Sequence, residues 1–226
     1  TEVMNTLKNF SARMDMDMEV LGQDMSLTVD MEAGQGGRMH TTMRVDTPVG
    51  RQTIEQIIAS PDVYSKIEGV GVGWMRMDLD DVAEASGVTT EMLADPKAFS
   101  STLFPAEDIP WELYTVSSAG REKIDGVQTE HLKVQVDFQT LWGSMDTGGK
   151  DRFISSFAAP GLDMGGIFEE TQVEKMELWI DDKGFQRRLV MEMVLGDFGS
   201  VKMDMRMFDF NKDIRIELPK DFTDVP

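Results

Sequence analysis

The chain of 226 residues contains no cysteine and only two histidines. Without cysteine it can form no disulfide, no thiol nucleophile and no cysteine-ligated zinc site. Basic residues are also scarce, because 22 Lys and Arg stand against 41 Asp and Glu, for a formal net charge of −19. Nucleic-acid binding, which needs a basic surface to release counterions, is therefore disfavoured. Electrostatic docking onto anionic lipid headgroups is disfavoured for the same reason.

Long apolar runs are lacking as well. The uninterrupted apolar stretches are a few residues long, whereas a membrane-spanning helix needs about 20. No Pro/Ser-rich linker or change of composition divides the chain, and 41% of its side chains are hydrophobic. A chain of this size can bury a substantial core, so we predict a single domain over residues 1–226.

What the sequence does contain is period-two alternation of apolar and polar residues. Met14, Met16 and Met18 alternate with Asp15 and Asp17, and similar segments recur along the chain. Successive strand side chains point to opposite faces of a sheet, so each such segment has one apolar and one solvated face. The sequence therefore predicts an α+β fold built on one strongly curved antiparallel sheet, a half-barrel of about ten strands. The last predicted strand covers residues 214–218.

Two segments, about 81–104 and 138–170, break the alternation and carry apolar residues at roughly helical spacing. We interpret them as helical insertions. The apolar face of a sheet must be covered by another element, so these insertions are expected to cover the concave face. A cavity would lie between them and the sheet, and Trp142 in the second insertion is a candidate lid residue.

Nineteen methionines are the most informative feature of the composition. Methionine is flexible and polarizable and suits surfaces that adapt to variable apolar shapes, although each methionine could equally be ordinary core. We predict a cavity for a lipid or another apolar molecule, formed by strand faces and insertion residues. The candidate ligand-binding residues are Met16, Met18, Met25, Leu27, Val29, Met31, Met43, Leu93, Leu103, Leu141, Trp142, Phe153, Phe157, Met191, Met193, Met203 and Met205.

Several segments, in order along nearly the whole chain, resemble the LppX/LprG-type lipoproteins, which share a half-barrel fold with the LolA/LolB carriers. They are residues 63–67, 74–79, 120–132, 178–181, 184–188, 210–212 and 214–219.

The resemblance implies an extracytoplasmic protein of the cell envelope that carries lipid in its cavity. It also implies a lipid anchor on an acylated cysteine upstream of Thr1, at the outer face of the cytoplasmic membrane, and leaves room for a membrane transporter as a partner. This chain departs from the pattern in its methionine content and its acidity, and the methionines could indicate a different ligand.

Catalysis finds little support in the sequence. There is no Gly-x-Ser-x-Gly elbow and no His-Glu-x-x-His motif, and the glycine-rich residues 69–73 lack the Lys-Ser/Thr of a P-loop. His131, beside an apolar neighbour in a predicted strand, is interpreted as structural. Paired carboxylates for glycoside chemistry stay open, since their separation in space cannot be read from sequence. We predict a protein that is not an enzyme and needs no cofactor.

The predicted strands disfavour two kinds of metal site. The run Met14–Met18 could offer thioethers to Cu(I), but alternate side chains on one strand face lie nearly 7 Å apart. Acidic residues such as Asp78, Asp80 and Asp81 lack the spacing and glycine of a calcium loop. The predicted function is therefore non-catalytic binding and transport of a hydrophobic ligand. The alternative is a structural or sensory envelope lipoprotein with a self-filled core, and Cu(I) binding is less favoured.

Overall fold

A computed structural model describes residues 7–86, 90, 113–145, 147, 148, 150 and 164–225. Within these residues it contains one open sheet of twelve strands. The strands are β1 (Phe10–Val20), β2 (Gln23–Ala33), β3 (Met39–Thr47), β4 (Gly50–Ala59), β5 (Asp62–Ile67), β6 (Trp74–Asp78), β7 (Tyr114–Ile124), β8 (Val127–Val136), β9 (Thr171–Asp181), β10 (Gln186–Leu195), β11 (Gly199–Phe208) and β12 (Phe222–Asp224).

The order across the sheet is β12-β6-β5-β4-β3-β2-β1-β11-β10-β9-β8-β7. The predicted half-barrel is confirmed, with two differences. There are twelve strands rather than about ten, and the sheet is mixed, because β12 pairs with β6 in parallel. The predicted strand at 214–218 is wrong. Those residues belong to no strand, and the last strand is β12.

Tight turns connect neighbouring strands. Between β1 and β2 the chain reverses at Leu21 and Gly22, with φ of 52° and 74°, the positive values that a two-residue hairpin requires. Asp125 and Gly126 make a similar turn between β7 and β8, with φ of 49° and 80°. Most strand pairs are therefore local in sequence. The exception at the centre is β1, which pairs with β11 from Ser11 to Val20.

Residues directly opposite each other on paired strands share a face, so the register defines the two faces of the sheet. We call the face that carries Met14 the inner face and the one that carries Asp15 the outer face. Met14 lies opposite Met205 on β11 and Val29 on β2, while Asp15 lies opposite Asp204 and Thr28. The alternation in the sequence thus becomes an apolar inner face and a charged outer face.

Three α-helices have bounds within the described residues: α1 (Leu79–Ser86), α2 (Phe138–Ser144) and α3 (Met164–Glu169). Leu79 of α1 packs with Met39, Ile58 and Val63 of the inner face. The helices α2 and α3 share an aromatic cluster that meets Val136 and Val173 at the other end of the sheet. Each helix therefore covers part of the inner face. Within the described residues, no helix is long and apolar enough to cross a membrane.

The segment between β11 and β12 covers part of the outer face. Ile216 is buried against Ile57 and Tyr64, which are outer residues of β4 and β5. Arg38 Nη1 donates a hydrogen bond to the carbonyl oxygen of Ile216 at 2.9 Å. These contacts replace the ladder that the predicted strand would have formed, and they lead the chain to the edge where β12 joins β6.

Candidate ligand-binding face

The inner face collects the methionines. Fifteen of the nineteen occupy inner positions of paired strands. Because they come from seven different strands, the alternating segments converge on one surface instead of forming separate patches. The fifteen are Met14, Met16, Met18, Met25, Met31, Met39, Met43, Met75, Met77, Met176, Met191, Met193, Met203, Met205 and Met207.

A continuous apolar row crosses this face. It takes one side chain from each of nine neighbouring strands, and at about 4.8 Å per strand it is about 38 Å long. From β8 to β5 its members are Leu132, Leu178, Leu189, Met205, Met14, Val29, Met43, Ile54 and Ile67. A parallel row, two residues along each strand, contains Met176, Met191, Met203, Met16 and Leu27.

Charge is excluded from the same surface. In β1–β6 and β9–β11, no inner position of the printed register carries Asp, Glu, Lys, Arg or His. The chain as a whole is 28% charged, so this segregation follows from the strict period of two. An uncharged surface favours contact with apolar groups and offers no counter-ion for a charged one.

The described helices cover the inner face only in part. Met203 and Met207 are buried, at 6% exposure each, whereas Met14, Met16, Met25 and other inner methionines are half-buried. At one end Met16 and Met18 pack against the cluster of Ile167, Leu195 and Val201. The centre of the face thus retains apolar area that a further group could bury.

The structure brings together all eleven candidate strand residues, from Met16 to Met205, on the inner face. Leu141 and Trp142 lie elsewhere, in the buried cluster of α2 with Phe138 and Phe168. Leu93, Leu103, Phe153 and Phe157 lie outside the described residues. The sequence-based candidate site omitted six inner methionines, although the same period-two alternation would have found them. They are Met14, Met39, Met75, Met77, Met176 and Met207.

A cavity of about 270 Å³ lies beside the start of α2, between β8 and β9. Its lining includes Asp137, Gln139, Thr171 and Val173. This volume is at the lower limit of ordinary ligand pockets, about 300–1,000 Å³. The cavity lies at one end of the sheet, and of its lining residues Thr171 and Val173 are on inner positions of β9. The methionine rows lie outside it.

The outer face is a network of ion pairs. Arg188, Arg206 and Arg13 are adjacent in register across β10, β11 and β1, and Arg188 Nη2 lies 2.6 Å from Asp204 Oδ2. Arg13 also pairs with Asp15 at 3.1 Å. Partial burial alone raises the pKa of Asp15, but hydrogen bonds from Arg13 and Thr28 outweigh it and hold the pKa below its ordinary value.

Trp179 and His131 form a second feature of the outer face. Their rings stack with centroids 4.3 Å apart. Cζ of Arg188, on β10, lies 4.8 Å from the centroid of the Trp179 ring. The Trp179 indole N–H donates a hydrogen bond to Glu122, and Glu122 lies 3.2 Å from His131 Nδ1. His131 is thus packed against Trp179 and lies close to Glu122, and its structural role stays a prediction.

The described residues offer no metal-binding site made of oxygen or nitrogen ligands. Among the described residues, no three Asp, Glu or His side chains form a group that could hold an ion. For thioether ligands, the strand register adds a cross-strand pair of methionines that the spacing along one strand does not show. Met16 and Met203 face each other across β1 and β11, where strands are about 4.8 Å apart. A soft ion therefore belongs among the ligands to be tested.

The described residues thus form an open half-barrel with helices on one face and a charge-free apolar surface beneath them. This is the fold of two solved mycobacterial proteins. The lipoprotein LppX of Mycobacterium tuberculosis matches at a TM-score of 0.51 and 10% identity, over 96% of this chain and 93% of that one. LprF of Mycobacterium bovis matches at 0.50 and 13%, over 97% and 91%.

A protein of the LolA superfamily, NE2245 from Nitrosomonas europaea, covers 96% of this chain at a TM-score of 0.26, so the comparison of folds rests on LppX and LprF. No family model and no curated protein matches the sequence. The predicted LppX-type half-barrel is therefore confirmed at the level of fold.

Proposed function

We propose that this protein binds a hydrophobic ligand, a lipid, on the inner face of the half-barrel and carries it within the cell envelope. The observation that carries the proposal is the charge-free apolar surface that spans nine strands and stays half-buried at its centre. The ligand is held by partition, and there is no reaction.

The energetics suit such a carrier. Each buried methylene contributes about 0.8 kcal/mol, so a long acyl chain supplies roughly 10 kcal/mol before the costs of association. Affinity then comes from buried area, and few polar contacts are needed. Fifteen methionines on the inner face add side chains that can change rotamer to fit different chains, which predicts broad specificity among apolar ligands.

The outer face bears on where the protein works. Its paired carboxylates and the net charge of −19 make adhesion to an anionic membrane surface unfavourable. An extracytoplasmic location, a lipid anchor upstream of Thr1 and a membrane transporter as loading or receiving partner belong to the proposal. The lipoprotein with the same fold, LppX, supports the first two.

Mass spectrometry of co-purified ligand tests the proposal. The protein, expressed in its full length and purified without detergent, is extracted with organic solvent, and the extract is analysed for lipids. We expect lipid at a near-stoichiometric ratio, and elemental analysis of the same sample tests bound copper. A matched variant, Met16→Lys, should co-purify with far less lipid. Lipid-free protein that also fails to bind added neutral probes would contradict the proposal.

A structural or sensory protein with a self-filled core is the second candidate. The observation that favours it is the cavity of about 270 Å³, which is small and lies away from the methionine rows. The two candidates differ in their response to ligand. The stability of a carrier rises with the ligand concentration L as RT ln(1 + L/Kd), whereas a self-filled core gains none.

A further inference from the structure

Three polar side chains interrupt the apolar inner face in one place. Thr41 on β3 lies opposite Gln56 on β4, and Gln56 lies opposite Ser65 on β5. The three therefore form a short polar row across three adjacent strands, which we call the 41–56–65 row.

Apolar residues flank this row on both sides. Along each strand the residues two positions away also face inward, and all six are apolar. They are Met39, Met43, Ile54, Ile58, Val63 and Ile67. On one side Leu79 of α1 closes over Ile58 and Val63. The 41–56–65 row is thus the polar centre of an apolar patch.

The polar side chains of the row are unpartnered among the described residues. In the part of the chain that the structure describes, none of the three side chains takes part in a hydrogen bond or ion pair. Ser65 is only 6% exposed. Thr41 and Gln56 are half-buried, so water reaches them in the free protein, whereas an apolar ligand laid over the row would leave these polar groups without a partner at a cost of about 1–3 kcal/mol each. Polar side chains at these positions are explained if a ligand supplies their hydrogen-bond partners.

We propose that the 41–56–65 row binds the uncharged polar group of an amphiphilic ligand, such as a hydroxyl, ester or amide. The inference rests on the proposed function. Gln56 offers both donors and an acceptor, while Thr41 and Ser65 each offer a hydroxyl. No Lys, Arg, Asp or Glu occupies a paired inner position of β3–β5, so a phosphate or carboxylate would be buried without a counter-ion.

Apolar side chains extend from the row for the apolar part of the same ligand, as far as the buried Met207. The row continues in register through Met31 and Ala12 to Met207 on β11. From Gln56 to Met207 there are four strand spacings, about 19 Å, which is comparable with one leaflet of the hydrocarbon core, about 15 Å. A chain lying across the strands would cover the methionines while its head meets the row.

Competition against the neutral fluorophore N-phenyl-1-naphthylamine tests the inference. The competitors are 1-monopalmitoylglycerol, its phosphorylated form lysophosphatidic acid, and hexadecane, each delivered from cyclodextrin. We expect the wild-type protein to bind 1-monopalmitoylglycerol at least tenfold more tightly than lysophosphatidic acid or hexadecane. The triple variant Thr41→Val, Gln56→Leu, Ser65→Ala should weaken binding of 1-monopalmitoylglycerol by about tenfold to a hundredfold, the equivalent of two or three net hydrogen bonds, and leave hexadecane unchanged within twofold.

The control changes the other face of the same strands. Thr42→Val combined with Thr53→Val removes two outer hydroxyls from β3 and β4 and should leave all three affinities unchanged. The inference is overturned if the triple variant binds 1-monopalmitoylglycerol as wild type does, or if it weakens all three competitors equally while near-ultraviolet circular dichroism stays native. If the wild-type protein binds neither the fluorophore nor any competitor, the proposed function fails with it.

Discussion

Met16 lies directly opposite Met203 across the β1–β11 pair, and both face inward. The two residues are 187 positions apart in sequence, yet together they form the middle of the row that runs from Met176 to Leu27. Met203 is 6% exposed, and Met16 is half-buried. This pair marks the centre of the proposed binding face, because the apolar rows extend from it in both directions.

A lysine at position 16 should weaken binding. In the Met16→Lys variant, an ammonium group without a counter-ion replaces a thioether at the centre of the apolar surface, and covering it with a ligand costs several kcal/mol. We expect the affinity for N-phenyl-1-naphthylamine to fall at least tenfold, measured by fluorescence titration.

The matched control is Ser26→Lys, on the outer face of β2. It makes the same change in net charge, and its neighbours in register are Asp17 and Asp46, which would pair with the new ammonium. This variant should bind the fluorophore as wild type does. Equal losses in both variants would mean that net charge, and not the inner face, controls binding.

Much of the fold follows from local sequence. The alternation around Met14 and Asp15 predicts strands and their two faces, and turn residues such as Gly22 and Gly126 mark the hairpins. Both are properties of neighbouring residues, so no knowledge of distant contacts is needed. The same alternation assigns the methionines of each strand to one face.

The remainder depends on long-range contacts. Nothing near Met16 indicates that β1 pairs with β11, and only that pairing makes the separate methionine patches into one surface. Ile216 has the apolar alternation of a strand, but burial against Ile57 and Tyr64 takes the place of a ladder. The 41–56–65 row likewise appears only when the register of β3, β4 and β5 is known, since Thr41 and Ser65 are unremarkable in their own segments.

Trp179 should be important for stability and unimportant for binding. Its ring is 4% exposed and lies between His131 and Arg188 on the outer face. Trp179→Ala should lower the free energy of unfolding by about 3–5 kcal/mol, measured by urea denaturation. Trp179→Phe keeps an aromatic ring but loses the hydrogen bond to Glu122, so its loss should be about 1 kcal/mol. Fluorophore affinity below the unfolding transition should match wild type in both variants, and a weakened affinity would contradict the assignment of the ligand to the inner face.

Gly199 should tolerate no side chain. Its φ is 131°, and a Cβ there would lie far inside van der Waals contact with the carbonyl oxygen of Glu19. Because that oxygen belongs to the backbone of β1, relief requires the β1–β11 pair to shift. Gly199→Ala should cost at least about 2 kcal/mol of unfolding free energy. Gly73→Ala is the control, since a Cβ at Gly73 meets nothing within 4 Å. Equal melting temperatures for the two variants would contradict the expected strain.

Asp137 should make α2 sensitive to acid. Its carboxylate accepts a hydrogen bond from the Thr140 backbone N–H at 3.0 Å, and this bond, with that from the Thr140 hydroxyl, holds the pKa of Asp137 below its ordinary value of 3.8. A lowered pKa means that the stabilisation is fully present above the unfolded-state pKa, about 3.9, and is lost as pH falls through the folded-state value.

At pH 7, Asp137→Ala should lower the melting temperature by about 3 °C, and Asp137→Asn, which keeps an accepting oxygen, should lower it less. Below about pH 4 the difference between wild type and Asp137→Asn should shrink, because protonation removes the charge that distinguishes them. Calorimetry at pH 7, 5 and 3 measures this, and a difference that stays constant across the three values would show that the charge of the cap contributes nothing.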